Sequence, residues 1–199
     1  MSIRLILASE SPRRRELLSG LGIPFEVLPA HADERCDLSD PAAYAEELAR
    51  RKGRAVAETL SPSEEGQTVV IVSADTVVAT DSEILGKPKD RADAIRMIVS
   101  LSGSTHRVIT GLALTVNGVT HSAYEVTEVT VDPIPEGEIE AYVDTGDPMD
   151  KAGAYGIQGV FSRWVRGISG CYFNVVGLPM NALNRLWYQC FGEYPSSNR

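Results

Sequence analysis

Cysteine is scarce in this chain. The three present, Cys36, Cys171 and Cys190, are odd in number, far apart and without metal-ligand spacing. That argues against a disulfide framework and predicts a reduced, cytoplasmic compartment. No apolar run approaches the roughly 20 residues of a membrane span, so no membrane partner is expected. Met1-Ser2-Ile3-Arg4 leads into a strand and does not read as a secretory leader. Low-complexity stretches and internal repeats are missing too. Basic charge is in deficit: 19 Lys and Arg against 27 Asp and Glu give a net charge of −8. A general nucleic-acid binder would need a basic footprint, so none is expected here. Any anionic ligand must be met by a local basic cluster inside an acidic molecule.

What is present is an ordinary globular composition, 43% hydrophobic and 23% charged over 199 residues. That length suits one substantial domain, or two small lobes sharing a core. A single domain over 1–199 is expected, with 195–199 a loose tail.

The most informative stretch comes first. Leu5–Ala8 reads as a buried strand, Ser11 as a helix N-cap and Pro12 as the first helical residue. Arg13, Arg14 and Arg15 then fill a first turn where the helix dipole favours acidic side chains. At about 100° per residue, Leu17, Leu18 and Leu21 define the apolar face. Arg14 lies near its middle, Arg13 at its edge, and Arg15 points away. A solvated basic patch is the plain alternative, but an arginine on the buried stripe favours an anion site at the helix N-terminus.

Further along, Pro24–Leu28 reads as a second strand, and Pro41–Leu60 as a long helix capped by Ser39 or Asp40. Its inward face, Ala45, Leu48, Ala49, Lys52, Ala55 and Val56, is interrupted by Lys52. Ser61–Gly66 reads as a surface loop. Thr68–Ala74 is continuously apolar, as a strand covered on both faces should be. It is expected to end at Asp75-Thr76 and to resume at Val77–Ala79. An interior Asp is costly unless a cation, metal or hydrogen bond satisfies it. Asp90 caps a helix over Arg91–Leu101, with Ala94, Ile95, Ile98 and Leu101 inward. Arg107–Val116 and Val119–Val131 form a hairpin through Asn117-Gly118. A helix over Glu136–Thr145 follows, with Ile139, Tyr142 and Val143 apolar. Gly146–Gly159 is rich in glycine and polar groups, which lets backbone approach a ligand. Val160–Ile168 reads as a strand, and Pro179–Phe191 as a final amphipathic helix.

Five stretches, in order, resemble the Maf family of nucleoside triphosphate pyrophosphatases. They are Leu7–Arg14, Ser73–Val78, Ile84–Pro88, Asp150–Gly159 and Asn174–Pro179. The resemblance implies a mixed α/β fold like that of the inosine triphosphate pyrophosphatases, an elongated central sheet flanked by helices, with two lobes around a cleft. It also implies a homodimer, a divalent metal (Mg²⁺ or Mn²⁺), and hydrolysis of a nucleoside triphosphate to the monophosphate and pyrophosphate. Arg13, Thr76 and Gln158 match the pyrimidine-selective branch, so dTTP and UTP are the expected substrates. Glu10, where many members carry glycine, is a departure that places a negative charge beside a phosphate site.

The residues carry the implied chemistry. Ser9, Arg14, Lys52 and Lys87 are the candidate phosphate ligands, arginine holding phosphate oxygens in pairs and lysine as a compact charge. Asp75 is the candidate catalytic carboxylate, as proton acceptor or metal ligand, and Glu34 the second carboxylate of a metal site. The Gln158 amide can donate to pyrimidine O4 and accept from N3–H. Two other readings share the phosphate ligands: a house-cleaning pyrophosphatase for modified or non-pyrimidine nucleotides, and a nucleotide-binding regulator of septum formation.

Overall fold

The computed structural model describes residues 2–61 and 66–195. Its elements are β1 (Ser2–Leu7), α1 (Pro12–Ser19), β2 (Phe25–Val27), α2 (Pro41–Thr59), β3 (Gln67–Ala79), β4 (Ile84–Leu85), α3 (Arg91–Leu101), β5 (Thr105–Val116), β6 (Val119–Val131), α4 (Glu136–Asp144), β7 (Val165–Ser169), α5 (Tyr172–Val176) and α6 (Met180–Phe191). The strands form one open sheet in the order β2-β1-β3-β5-β6-β7, with β4 added to β3. It is mixed: β1 runs parallel to β2 and β3, whereas β3–β4 and β6–β7 are antiparallel. An α/β sheet flanked by helices was the expectation, and the structure has it.

The chain divides into two compact units. The first comprises Met1–Asp75, Thr110–Glu125 and Gly177–Arg199; the second comprises Thr76–Ile109 and Val126–Val176. In the first, alternate residues of β1 enter different cores, because successive strand side chains point to opposite faces. Leu5 and Leu7 pack with Leu18, Val70, Val72, Leu183 and Trp187. Ile6 and Ala8 pack on the other side with Ile71 and Val56 of α2. Burial on both faces is why β1 and the start of β3 read as unbroken apolar runs. In the second unit, Ile98, Leu101, Tyr142, Tyr155, Phe161 and Trp164 share one core.

Caps and turns follow the local chemistry. Ser11 accepts from the Arg14 amide, Asp40 from Ala43 and Asp90 from Asp93. Asn117 and Gly118, both at positive φ, make the β5–β6 turn.

Three expectations need correction. β3 does not stop at Asp75 but runs on to Ala79, so Asp75 lies within a strand, not beyond its carboxyl end. Residues 160–168 are not one strand: Gly159–Trp164 is a 3-10 turn and only Val165–Ser169 is extended. Phe161 and Trp164, three apart, are its buried pair, the period of a 3-10 helix rather than a strand. The helix faces also differ in detail, with Gly53 buried on α2 and Met97 on α3, while Ala55 and Ile95 are only half-buried. Residues 62–65 of the expected loop, and 196–199 of the expected tail, lie outside the described residues.

Candidate active site

Strand parity places the central carboxylate. Ile71, Ser73 and Asp75 share one face of β3, the face that α2 covers. Ile71 packs with Val56, and the Ser73 hydroxyl donates to the Ala49 carbonyl at 2.7 Å. Two residues further on, Asp75 meets the α2 side chain one turn along, Lys52. The Lys52 ammonium donates to Asp75 Oδ1 at 2.6 Å and reaches Glu34 Oε1 at 2.7 Å. The Lys52 and Asp75 side chains keep 15% and 13% of their exposure, whereas Glu34 keeps 64%. One lysine thus bridges a recessed carboxylate and an open one.

Close packing of α2 on the sheet makes this reach possible. A Cβ added at Gly111 of β5 would fall 2.1 Å from the Ala45 carbonyl oxygen. Helix backbone therefore rests directly on strand backbone at that point, and only glycine fits.

The basic turn of α1 is built on the same unit. Arg14 folds back: its Nε donates to the Gly177 carbonyl at 2.7 Å and its Nη1 to Ser9 Oγ at 3.3 Å. Ser9, buried, also accepts from the Ser11 amide at 3.2 Å. Burial lowers the Arg14 pKa from its ordinary value, the charges of Asp75 and Glu34 oppose that shift, and neighbouring Arg13 adds to it. Arg14 therefore feels both carboxylates. Arg13 is half-buried, and Arg15 faces solvent.

Sequence reasoning missed two contributors here. Tyr44, half-buried on α2, has its phenol pKa pushed up by burial and then by the charges of Asp75, Cys36 and Glu34. The available signal was the i, i+4 row Tyr44–Leu48–Lys52. Gly177 supplies the carbonyl that orients Arg14, a role no side-chain pattern announces.

The remaining candidates belong to the second unit. Thr76 directly follows Asp75 in β3 and is half-buried. Lys87 is exposed just after β4, and Gln158 is exposed at the start of the 3-10 turn Gly159–Trp164. All three lie within that unit's residue ranges.

The donor set bears on a metal. Among the described residues no group of three or more His, Cys, Asp or Glu side chains gathers as a cage. Glu34 and Asp75 already converge on one cation, the Lys52 ammonium. A Mg²⁺ ion needs only one or two carboxylates when substrate phosphates and water complete its shell. The pair fits a site completed by substrate, not a standing protein cage.

Comparison with known proteins gives a consistent result. The family model described as Maf-like protein matches residues 4–190. A dTTP/UTP pyrophosphatase of Koribacter versatilis is 51% identical over 187 residues, 94% of each chain. One of Vibrio cholerae is 46% identical, covering 94% of this chain and 97% of its own. One of Thermococcus kodakarensis is 47% identical over 182 residues, 92% of this chain and 94% of its own.

Proposed function

The chain belongs to the Maf-like family, and from that premise we propose that it is a nucleoside triphosphate pyrophosphatase acting on dTTP and UTP. The observation that carries this reading is 46–51% identity to three dTTP/UTP pyrophosphatases over 92–94% of the chain. Water and the triphosphate become the nucleoside monophosphate and pyrophosphate. The water oxygen bonds to the α-phosphorus, the bond from that phosphorus to the bridging oxygen breaks, and pyrophosphate leaves with the electron pair.

The residues divide this work. Asp75 accepts the proton of the attacking water. Arg14, held by Ser9 and Gly177, presents a fixed guanidinium to phosphate oxygens, and Lys52 and Lys87 add compact positive charge. Glu34 and Asp75 would hold a divalent cation, Mg²⁺ or Mn²⁺, which when bound supplies phosphate neutralisation and a more acidic water. Gln158 reads the pyrimidine edge through its amide, and Arg13 and Thr76 complete the specificity set. The protein acts as a cytoplasmic homodimer on free nucleotides. Among the described residues no helix is long and apolar enough to cross a membrane.

Pyrophosphate release from a panel of nucleoside triphosphates, with Mg²⁺, Mn²⁺ or chelator, tests this reading. Fastest turnover of dTTP and UTP is expected. Preferred cleavage of a purine or modified nucleotide would move the protein to the house-cleaning reading, and saturable binding without release would make it a regulator. Light scattering on the eluting protein checks the dimer.

A further inference from the structure

Lys151 sits in a glycine-rich run and looks, by composition, like another phosphate ligand. Its geometry says otherwise. The ammonium reaches the Asp147 carbonyl oxygen at 2.5 Å, Asp147 Oδ1 at 3.0 Å and Asp150 Oδ1 at 2.7 Å. An ammonium has three N–H donors, and these three acceptors use them. Only 12% of the side chain is exposed. Asp147 is in turn fixed from the core side, where the buried Tyr142 hydroxyl donates to its Oδ2 at 2.9 Å.

The stem of Lys151 lies under the segment that leads to Gln158. A Cβ added at Gly156 would fall 2.9 Å from Lys151 Cε and 3.0 Å from Cδ, with the Gln158 carbonyl oxygen next at 3.7 Å. On its other side, Lys151 starts the tight turn through Gly153 and Ala154, both at positive φ. The Ala154 amide donates to the Lys151 carbonyl at 3.1 Å, and the Gly153 amide to the Gly86 carbonyl at 3.0 Å. Gly86 immediately precedes Lys87. A Cβ at Gly153 would strike Val78, two residues past Thr76, at 2.7 Å. One short turn therefore hydrogen-bonds to the residue before Lys87, packs on the Val78 side chain of the strand that carries Thr76, and leads into Gln158, all within the second unit.

We propose that Lys151 is a positioning residue for nucleotide selectivity: it clips the Asp147–Asp150 turn with its ammonium and supports the Gly156–Gln158 backbone with its stem. The inference rests on the reading of Gln158 as the base-contacting residue. A residue held by a side chain that touches no substrate should be misplaced, not removed, when that support is lost.

The test compares wild type with Lys151→Met, Lys151→Arg and Gly156→Ala on dTTP, UTP, dCTP and dATP, with amide hydrogen exchange followed at Gly153. Misplacement of Gln158 costs at most what its removal costs, roughly fivefold for one hydrogen bond to an uncharged group. Lys151→Met should lower kcat/KM for dTTP and UTP by up to about that factor, leave dCTP and dATP within about twofold, and speed Gly153 exchange about tenfold. Lys151→Arg, which keeps the charge, should restore most of the selectivity. Gly156→Ala keeps every charge but displaces the stem, and should shift the ratio in the same direction by less. Equal loss on all four nucleotides, or a Gly153 amide as protected in Lys151→Met as in wild type, would overturn the proposal. Wild-type enzyme without preference for dTTP or UTP would instead overturn the assigned substrate class, and Gly153 exchange would still decide whether Lys151 holds the turn.

Discussion

The two regions that carry candidate chemistry are positioned by different physics. Around Asp75, position comes from regular structure: strand parity sets the face, and a helix resting backbone-to-backbone on the sheet at Gly111 brings Lys52 to the carboxylate. Around Gln158 the backbone is irregular, and position comes from short-range clips: Lys151 on Asp147 and Asp150, Gly153 on Gly86, Tyr155 on His106. The first arrangement shares the stability of the core. The second is anchored in its own core by Tyr155, Phe161 and Trp164, but the turn from Asp147 to Gln158 is also held by a few polar contacts, each worth roughly 0.5–1.5 kcal/mol net, so that turn can be loosened without unfolding the rest.

The largest effect should come from the first region. Asp75→Asn keeps the shape of the side chain but removes the proton acceptor and the charge that Lys52 holds. Turnover of dTTP should fall by about 10²–10⁴-fold, the usual span for loss of a general acid or base. Folding should persist, since Lys52 retains Glu34 at 2.7 Å. Turnover near wild type, measured by pyrophosphate release, would remove Asp75 from the reaction. Gly111→Ala attacks the same region through its packing. With the new Cβ at 2.1 Å from a helix carbonyl, relief requires α2 to lift from the sheet. A cost of about 3 kcal/mol, at the upper end for overpacking, is expected. For a chain of this size that is a Tm lower by roughly 6–12 °C. Gly137→Ala on α4 is the control in the second unit, because its added Cβ meets nothing within 4 Å. Its Tm should hold or rise slightly.

How much of this was legible in the sequence follows the same division. Regular structure declared itself: the Asn117-Gly118 hairpin, the Asp90 cap, the Ile139–Tyr142–Val143 face and the lysine on the apolar stripe of α2 all stand in the structure as read. Asp75 as a strand end was wrong because the apolar run Thr68–Ala74 stops there, and a charged residue next to such a run reads as a boundary although the strand continues to Ala79. Ser73 and Asp75 are polar because α2 offers them a carbonyl and an ammonium, which sequence alone does not place. The irregular region was opaque for a stronger reason. Lys151 could be sorted from a phosphate ligand only by counting acceptors around its ammonium, and Phe161 with Trp164 fits a 3-10 period that a short window confuses with a buried strand.

Acid should distinguish the regions in another way. His106 donates to or accepts from the Tyr155 hydroxyl at 2.7 Å in the core beneath the irregular segment. Burial lowers its pKa from 6.5 to about 4. Between those values the unfolded chain binds a proton that the folded chain does not, so stability is full above pH 6.5 and declines as pH falls toward 4. The loss reaches about 3 kcal/mol at the lower limit. His106→Gln should flatten that part of the profile in denaturant titrations at pH 7, 5.5 and 4.5. An unchanged slope would mean that other groups set the acid limit.

The smallest effect is the most discriminating one. Gln158→Ala removes an exposed amide at the start of a turn, so it should leave Tm within about 1 °C, as surface substitutions usually do. Its consequence belongs to recognition. A lost hydrogen bond to an uncharged base edge weakens discrimination by about 1 kcal/mol, roughly fivefold in the ratio of kcat/KM for dTTP over dCTP. Asp75→Asn, by contrast, should depress all nucleotides together. If Gln158→Ala lowers every nucleotide equally, the two regions are not separable into chemistry and selectivity. If only the ratio moves, the irregular segment governs which base is accepted, while the helix-on-sheet cluster governs how fast the phosphoanhydride is cut.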